Sequence, residues 1–185
     1  MLSKQLHIIF ILFFIGCNNS DISTYRIPKK ESQSLLNKIS NTSSNTSILW
    51  EKPKHWIESK GSNMRLASYN IPSANYMGDL SVTILSGDGG GIKENVNRWR
   101  GQLGLDPQNE ELILNSSEKR KAYLGNYQVF RIFNDLNQDM ALICAIIPLH
   151  GSTIFIKLNI AKIALTSIED EFLIFCDSFK LEKND

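Results

Sequence analysis

A continuous apolar run, MALICAIIP, occupies residues 140–148. Its odd and even positions are both apolar. This pattern predicts a strand at the centre of a sheet that is covered on both faces. A second strand, Thr153–Ile160, follows after the turn residues His150, Gly151 and Ser152. Four further segments read as strands: Arg65–Ile71, Leu80–Leu85, Tyr127–Phe133 and a short last one, Ser178–Leu181.

Two segments carry the apolar stripe of an amphipathic helix. The first, Ile92–Leu103, is followed by Gly104 and Pro107, which favour a helix end. The second carries Leu165, Ile168, Phe172 and Phe175, and begins between Lys162 and Ser167. Strands joined by short turns favour antiparallel pairing. We therefore predict an α+β fold, in which an antiparallel β-sheet is flanked by helices on both faces.

The composition is that of an ordinary globular protein. The chain has 185 residues, 20 Lys+Arg against 19 Asp+Glu, and 42% hydrophobic residues. A formal net charge of +1 argues against a strongly basic nucleic-acid-binding protein. Three cysteines are too few for a disulfide scaffold, and three histidines leave little for a metal site. We expect no cofactor and no bound metal.

Residues 1–16 are typical of a secretory signal peptide. Lys4 precedes an apolar run, Ile8–Ile15, that is much shorter than the roughly 20 residues needed to span a bilayer. The run ends in Phe14-Ile15-Gly16-Cys17, which resembles a bacterial lipobox, although Phe14 stands where Leu is usual. The resemblance implies lipidation of Cys17 and cleavage before it. The alternatives are a plain signal peptide with an incidental cysteine and an uncleaved anchor.

The segment after the leader is rich in Asn, Ser and Thr and holds few residues that could fill a core. We predict that residues 17–47 form a flexible tether behind the lipidated Cys17, and that residues 48–185 form one globular domain. Asn18 follows the cysteine, where an Asp would favour retention in the inner membrane of bacteria. We therefore expect a lipid-anchored protein of the bacterial cell envelope, in the outer rather than the inner membrane.

Several segments of the domain together resemble a family of uncharacterised bacterial lipoproteins. They are Trp50…Pro53…Trp56, Met64–Ala67, the glycine-rich block Gly87–Gly91, and the polar block Asn95–Leu105. The order of elements is similar to the PsbP-like fold, an α-β-α sandwich. Members of that fold mostly bind partners, so the resemblance implies a binding module rather than an enzyme.

The glycine block lies between a predicted strand and a predicted helix. Backbone amides at a helix N-terminus can bind anions, and Gly89, Gly90 and Gly91 would let a ligand approach closely. The spacing is not that of a Walker A loop, because no Gly-Lys-Ser/Thr follows. The alternative is a turn closed by Asp88.

Asn95, Arg98 and Gln102 fall on one face of the first helix, away from its apolar stripe. This polar row could bind a carboxylate, a glycan or a partner loop. The alternative is that its members bond neighbouring backbone. In either case we expect Trp99 to be buried and Arg98 to be at least partly exposed.

Catalytic motifs such as Gly-x-Ser-x-Gly and His-Glu-x-x-His are missing from the sequence, so we assign no catalytic residue. Cys144 and Cys176 could form a disulfide after export or remain two buried thiols. The resulting hypothesis is a non-enzymatic, membrane-anchored envelope lipoprotein that binds an envelope protein partner or a small ligand, and no nucleic acid. The alternatives are an envelope hydrolase or transferase and a mainly structural protein.

Overall fold

The computed structural model describes residues 46–136 and 139–183, which belong to one unit of the chain, Ser32–Asp185. The predicted signal peptide, Cys17 and the tether up to residue 45 lie outside the described residues. The strands are β1 (Thr46–Leu49), β2 (Ile57–Glu58), β3 (Ala67–Ser73), β4 (Tyr76–Ser86), β5 (Glu118–Ala122), β6 (Gly125–Phe133), β7 (Met140–Leu149), β8 (Ser152–Ala161) and β9 (Lys180–Lys183). The helices are α1 (Ile92–Gln102), α2 (Glu110–Asn115) and α3 (Lys162–Asp177).

Seven strands form one antiparallel sheet in the order β2-β3-β4-β8-β7-β6-β5. The predicted central strand β7 lies inside this sheet, between β8 and β6, and its residues 141–147 are all buried. The remaining two strands, β1 and β9, form a separate antiparallel ribbon. The prediction of a mixed α+β domain around a large antiparallel sheet is confirmed.

Alternate residues of β7 belong to two different apolar clusters, because successive side chains of a strand point to opposite faces. Ile143, Ala145 and Ile147 pack in the larger cluster with residues of α3. Leu142, Cys144 and Ile146 pack in the smaller cluster with residues of α1 and α2. The run at 140–148 is thus apolar at both odd and even positions because each face of β7 packs in an apolar cluster.

Aromatic rings attach the β1–β9 ribbon to the rest of the domain. Trp50, just after β1, stacks on Phe179, with ring centroids 5.3 Å apart. Its indole N–H donates to the hydroxyl of Tyr69 in β3 (2.9 Å). Trp56 is fully buried, with its ring against Phe175 of α3.

The elements that were not predicted are short, with two to six residues each. They are β1, β2, the edge strand β5 and the short helix α2. The first described strand, β1, begins at Thr46 and pairs with Lys183, so it includes the last two residues of the predicted tether. The hairpin of β3 and β4 also extends beyond the predicted strands, because pairing continues up to Ser73 and Tyr76 at the turn.

One end of the large sheet brings together several connections. The β5–β6 turn and the β7–β8 turn lie there, since Ala122 pairs with Gly125 and Leu149 with Ser152. The loop before α1 lies at the same end, because the N–H of Gly87 donates to the carbonyl of Gly151 (3.0 Å). Within the described residues, none of the helices is both long and apolar enough to cross a membrane.

Candidate functional site

The glycine loop before α1 is closed by bonds within the chain. Gly87, Gly89, Gly90 and Gly91 all have positive φ, a conformation that glycine adopts without strain. Their N–H groups donate, in order, to Gly151 O, Ser86 O, Asp88 Oδ1 and Asp88 O. The amides expected to bind an anion are therefore already engaged. The structure matches the alternative, a turn closed by Asp88.

Gly89 has a further packing role in this loop. A Cβ atom at this position would lie 2.4 Å from the ring of Phe155, which is closer than any real contact. Phe155 belongs to the cluster under α1. The glycine therefore lets the loop lie directly on the sheet, and α1 begins close to its surface.

Asn95 is buried, with 1% of its surface exposed. Its side-chain N–H group donates to the carbonyls of Gly89 (3.1 Å) and Gly91 (2.6 Å), and its Oδ1 accepts from the guanidinium of Arg98. The expectation of an exposed three-residue row is thus corrected, because Asn95 holds the glycine loop and is not accessible to a ligand.

The other two members of the row are exposed. Gln102 accepts a hydrogen bond from the ammonium of Lys157 on β8 (3.0 Å), while Arg98 reaches solvent beside Asn95. Trp99 is 5% exposed and meets Phe155 edge to face, with ring centroids 6.4 Å apart. The expectations of a buried Trp99 and an exposed Arg98 are confirmed.

Two further side chains of the polar block, Asn97 and Arg100, also form hydrogen bonds with the backbone. The side chain of Asn97 exchanges two hydrogen bonds with the backbone of Gln108 (2.9 and 2.8 Å). Arg100 Nε donates to the carbonyl of Asp106 (2.9 Å). Asn95 therefore holds the loop before α1, and Asn97 and Arg100 hold the loop after it. These three residues of the polar block therefore stabilise the fold.

An ion-pair network ties β5 and β6 to α3 on the other face of the sheet. The guanidinium of Arg120 donates to Glu118 (2.8 Å) and Asp177 (2.9 Å), and the hydroxyl of Tyr127 donates to Asp177 (2.5 Å). Arg131 donates to both Glu118 and Glu169. Hydrogen bonds from Arg120 and then Arg131 hold the pKa of Glu118 below its ordinary value. The charges of Arg120 and Arg131 are therefore compensated by carboxylates of the same domain.

Two neighbouring cavities, of about 490 and 550 Å³, open at the sheet end where the turns meet. They share Pro148 as a lining residue, and we call them together the hairpin groove. Its residues are Lys119, Arg120, Lys121, Tyr123, Leu124, Asn126, Tyr127, Gln128, Ile146, Pro148, Leu149, His150, Lys180 and Leu181. The volumes fall in the range of small-molecule sites.

The hairpin groove combines cationic and apolar side chains. None of its described lining residues is Asp or Glu. Since Arg120 on β5 points to the α3 face, Lys119 and Lys121 point to the opposite one. These two lysines form no ion pair within residues 46–136 and 139–183, whereas Lys180 lies 3.8 Å from Glu51 in an exposed pair. The groove therefore carries uncompensated positive charge.

The cysteines of the domain are free thiols on opposite faces of the sheet. Cys144 lies in the cluster with α1 and Cys176 in the cluster with α3, and both are fully buried. Burial raises the pKa of both thiols well above the ordinary value. Both therefore remain protonated at neutral pH, a state in which a thiol is a poor nucleophile.

Among the described residues, no three His, Cys, Asp or Glu side chains are grouped so that they could hold a metal ion. His55 instead contacts Glu171 (3.1 Å), and His150 lines the hairpin groove. The structure thus brings neither histidine into a set of ligands within that part of the chain.

Sequence reasoning missed the hairpin groove. Its most basic wall is β5, which reads EKRKA and lacks the apolar alternation that identifies a strand. The signal that could have revealed it is the run Lys119-Arg120-Lys121 directly before a turn with an exposed tyrosine, Tyr123. Three cations in a chain of near-zero net charge indicate a local basic surface.

Comparison with known proteins gives structural likeness only. No protein-family model matches the chain, and no curated protein matches it either. The cyanobacterial PsbP of Synechocystis sp. PCC 6803 is similar with 13% identity and a TM-score of 0.47, over 75% of this chain and 94% of that one.

Two further solved structures are similar. LpqN of Mycobacterium tuberculosis, described as involved in cell envelope biogenesis, has 13% identity and a TM-score of 0.44, over 78% of this chain and 87% of that one. A protein of Bacteroides thetaiotaomicron VPI-5482 has 10% identity and a TM-score of 0.44, over 77% of this chain. The chain spans about half (49%) of that Bacteroides protein. The similar structures thus include a PsbP protein and a protein involved in bacterial cell envelope biogenesis.

Proposed function

We propose that this protein is a membrane-anchored lipoprotein of the bacterial cell envelope, and that it acts as a binding module rather than as an enzyme. Its domain would be a PsbP-like sandwich with helices on both faces of the sheet. The two apolar clusters support this architecture, since one contains residues of α3 and the other residues of α1 and α2.

The anchor would be a lipid on Cys17. The support is the short apolar leader that ends in Phe14-Ile15-Gly16-Cys17, and Asn18 favours the outer membrane. Substitution Cys17→Ser should leave a precursor that no longer takes up labelled palmitate. Equal labelling of this variant and the parent chain would refute the anchor.

The ligand would bind in the hairpin groove through a negatively charged group. The observation that carries this proposal is the charge of the groove, where Lys119 and Lys121 form no ion pair within the described chain and no described lining residue is acidic. Apolar walls at Tyr123 and Pro148 would add contact area beside the charges. Arg98 and Gln102 on α1 remain a second, smaller candidate contact surface.

An envelope hydrolase or transferase would need an accessible nucleophile with a base beside it. The described cysteines are buried, protonated thiols. The arginines of the ion-pair network are bonded to carboxylates of the same domain. These contacts favour the binding module over an enzyme.

Binding can be measured by the fluorescence anisotropy of a fluorescein-labelled polyphosphate mixed with the full chain in detergent. The double substitution Lys119→Glu/Lys121→Glu should weaken binding strongly, because it reverses the free charges of the groove. The control Lys54→Glu/Lys60→Glu makes the same change of charge at exposed positions outside the groove. Equal loss in both variants, or no binding by the parent chain, would contradict the proposal.

A further inference from the structure

We propose that the hairpin groove docks on the anionic headgroups of the membrane that carries the lipid anchor. This inference rests on the proposed function and names the ligand of that site: a lipid surface with negative charge. The groove would then hold the domain in one orientation against the bilayer.

The position of the chain supports this orientation. The segment that leads back to Cys17 joins the domain at Thr46, the first residue of β1. Leu181 of the groove pairs with Ile48, only two residues further along that strand. At about 3.4 Å per residue, Ile48, which pairs with this groove residue, lies roughly 7 Å along the strand from Thr46. The described chain thus begins on the same ribbon that contributes Leu181 to the groove.

The side chains at this end suit a bilayer surface. Tyr123, at the tip of the β5–β6 turn, is 84% exposed, and Leu181 is 51% exposed. Tyrosine is favoured at the headgroup level, where its ring is in apolar surroundings and its hydroxyl in water. Lys119 and Lys121 line the adjoining cavity, which shares Pro148 with the cavity of Tyr123 and Leu181, and they would attract anionic headgroups. Apolar insertion and electrostatic attraction would therefore act at the same end of the sheet.

The opposite end of the sheet carries exposed negative charge. The β6–β7 connection carries the exposed carboxylates of Asp135 and Asp139. Asp135 pairs with Lys162, whereas Asp139 forms no ion pair with another described residue. An anionic surface would repel these groups. Leu136 at this end is 95% exposed, so it provides an accessible reporter position away from the groove.

The test uses the full, lipidated chain in phosphatidylcholine vesicles with or without phosphatidylglycerol. A cysteine-reactive fluorophore is placed on Asn126→Cys in the groove or on Leu136→Cys at the far end, and quenching by spin-labelled lipid is measured. The native thiols Cys144 and Cys176 are buried and should not react with the dye in the folded chain. Quenching should be strong at position 126 only, and only with phosphatidylglycerol present.

Neutralising Lys119→Gln and Lys121→Gln should reduce the ratio of docked to free domain roughly five-fold per lysine. The matched pair Lys54→Gln and Lys60→Gln should leave it unchanged. Equal quenching at both reporter positions, or none at position 126, would overturn the docking alone. A chain that does not float with the vesicles would refute the lipid anchor, and with it the proposed function.

Discussion

Truncation of Trp99 to Ala should destabilise the domain severely. Its ring lies between α1 and the sheet, against Phe155, and is almost completely buried. A buried Trp removes about 150–250 Å² from water, which at roughly 25 cal/mol per Å² corresponds to about 4–6 kcal/mol. Measured substitutions of this kind cost about 3–5 kcal/mol, a large share of the roughly 5–15 kcal/mol of a typical domain.

The neighbouring substitution Arg98→Ala is the matched control, because it changes the next residue of the same helix. Arg98 is exposed, and its contact within the fold is the hydrogen bond to Asn95. Loss of that bond leaves the buried Oδ1 of Asn95 without this donor, so the expected cost is about 1–3 kcal/mol, less than that of the buried ring.

Urea unfolding of both variants gives the free energies directly, and thermal melting should show a fall of about 10–20 °C for Trp99→Ala and a clearly smaller fall for Arg98→Ala. If Arg98→Ala proves as destabilising as Trp99→Ala, then Arg98 is an essential part of the fold. The account of α1, in which Asn95 is structural and Arg98 is available, would then be refuted.

Three other outcomes follow from local geometry. Gly89→Ala should lower the melting temperature much more than Gly87→Ala. Both positions have positive φ, which costs an alanine roughly 1–2 kcal/mol of stability, but only at Gly89 would the new methyl group also collide with a ring, that of Phe155. Two arginines hold the pKa of Glu118 below its ordinary 4.5, so its stabilisation is complete above about pH 4.5 and is lost as the pH falls through the lowered value. Glu118→Gln should therefore be less stable than the parent at neutral pH, by on the order of 0.5–1 kcal/mol, and should lose less stability in acid; parallel pH–melting curves would contradict this. Cys144 and Cys176 should react with a thiol reagent only after unfolding, and fast reaction of the native chain would show that one of them is accessible.

The large elements could be predicted because their burial leaves a periodic pattern. The run at 140–148 gave the position of β7, and the stripe through Val96 and Trp99 gave the buried face of α1. The elements that were missed, such as β5, contribute few apolar side chains to either cluster. The place of β5 in the sheet is set by backbone pairing with β6 and by the ion pair of Arg120 with Asp177, a contact between residues 57 positions apart.

The candidate site was harder to predict for a related reason. Asn95 and the glycines of the loop looked available because helix periodicity shows which residues share a face, but not what lies opposite that face. In the structure that space is filled by loop carbonyls, to which Asn95 donates. Conversely, the hairpin groove is assembled from two turns and from β9, so no single stretch of sequence displays it.

The most direct test of the central claim is hydrogen–deuterium exchange of the lipid-anchored chain on vesicles with and without phosphatidylglycerol. The account predicts that anionic lipid slows amide exchange in the β5–β6 turn around Tyr123 and in the β7–β8 turn around His150, and leaves the far end around Leu136 unchanged. Slowed exchange centred instead on α1, around Arg98 and Gln102, would contradict the claim and would place the binding surface on that helix.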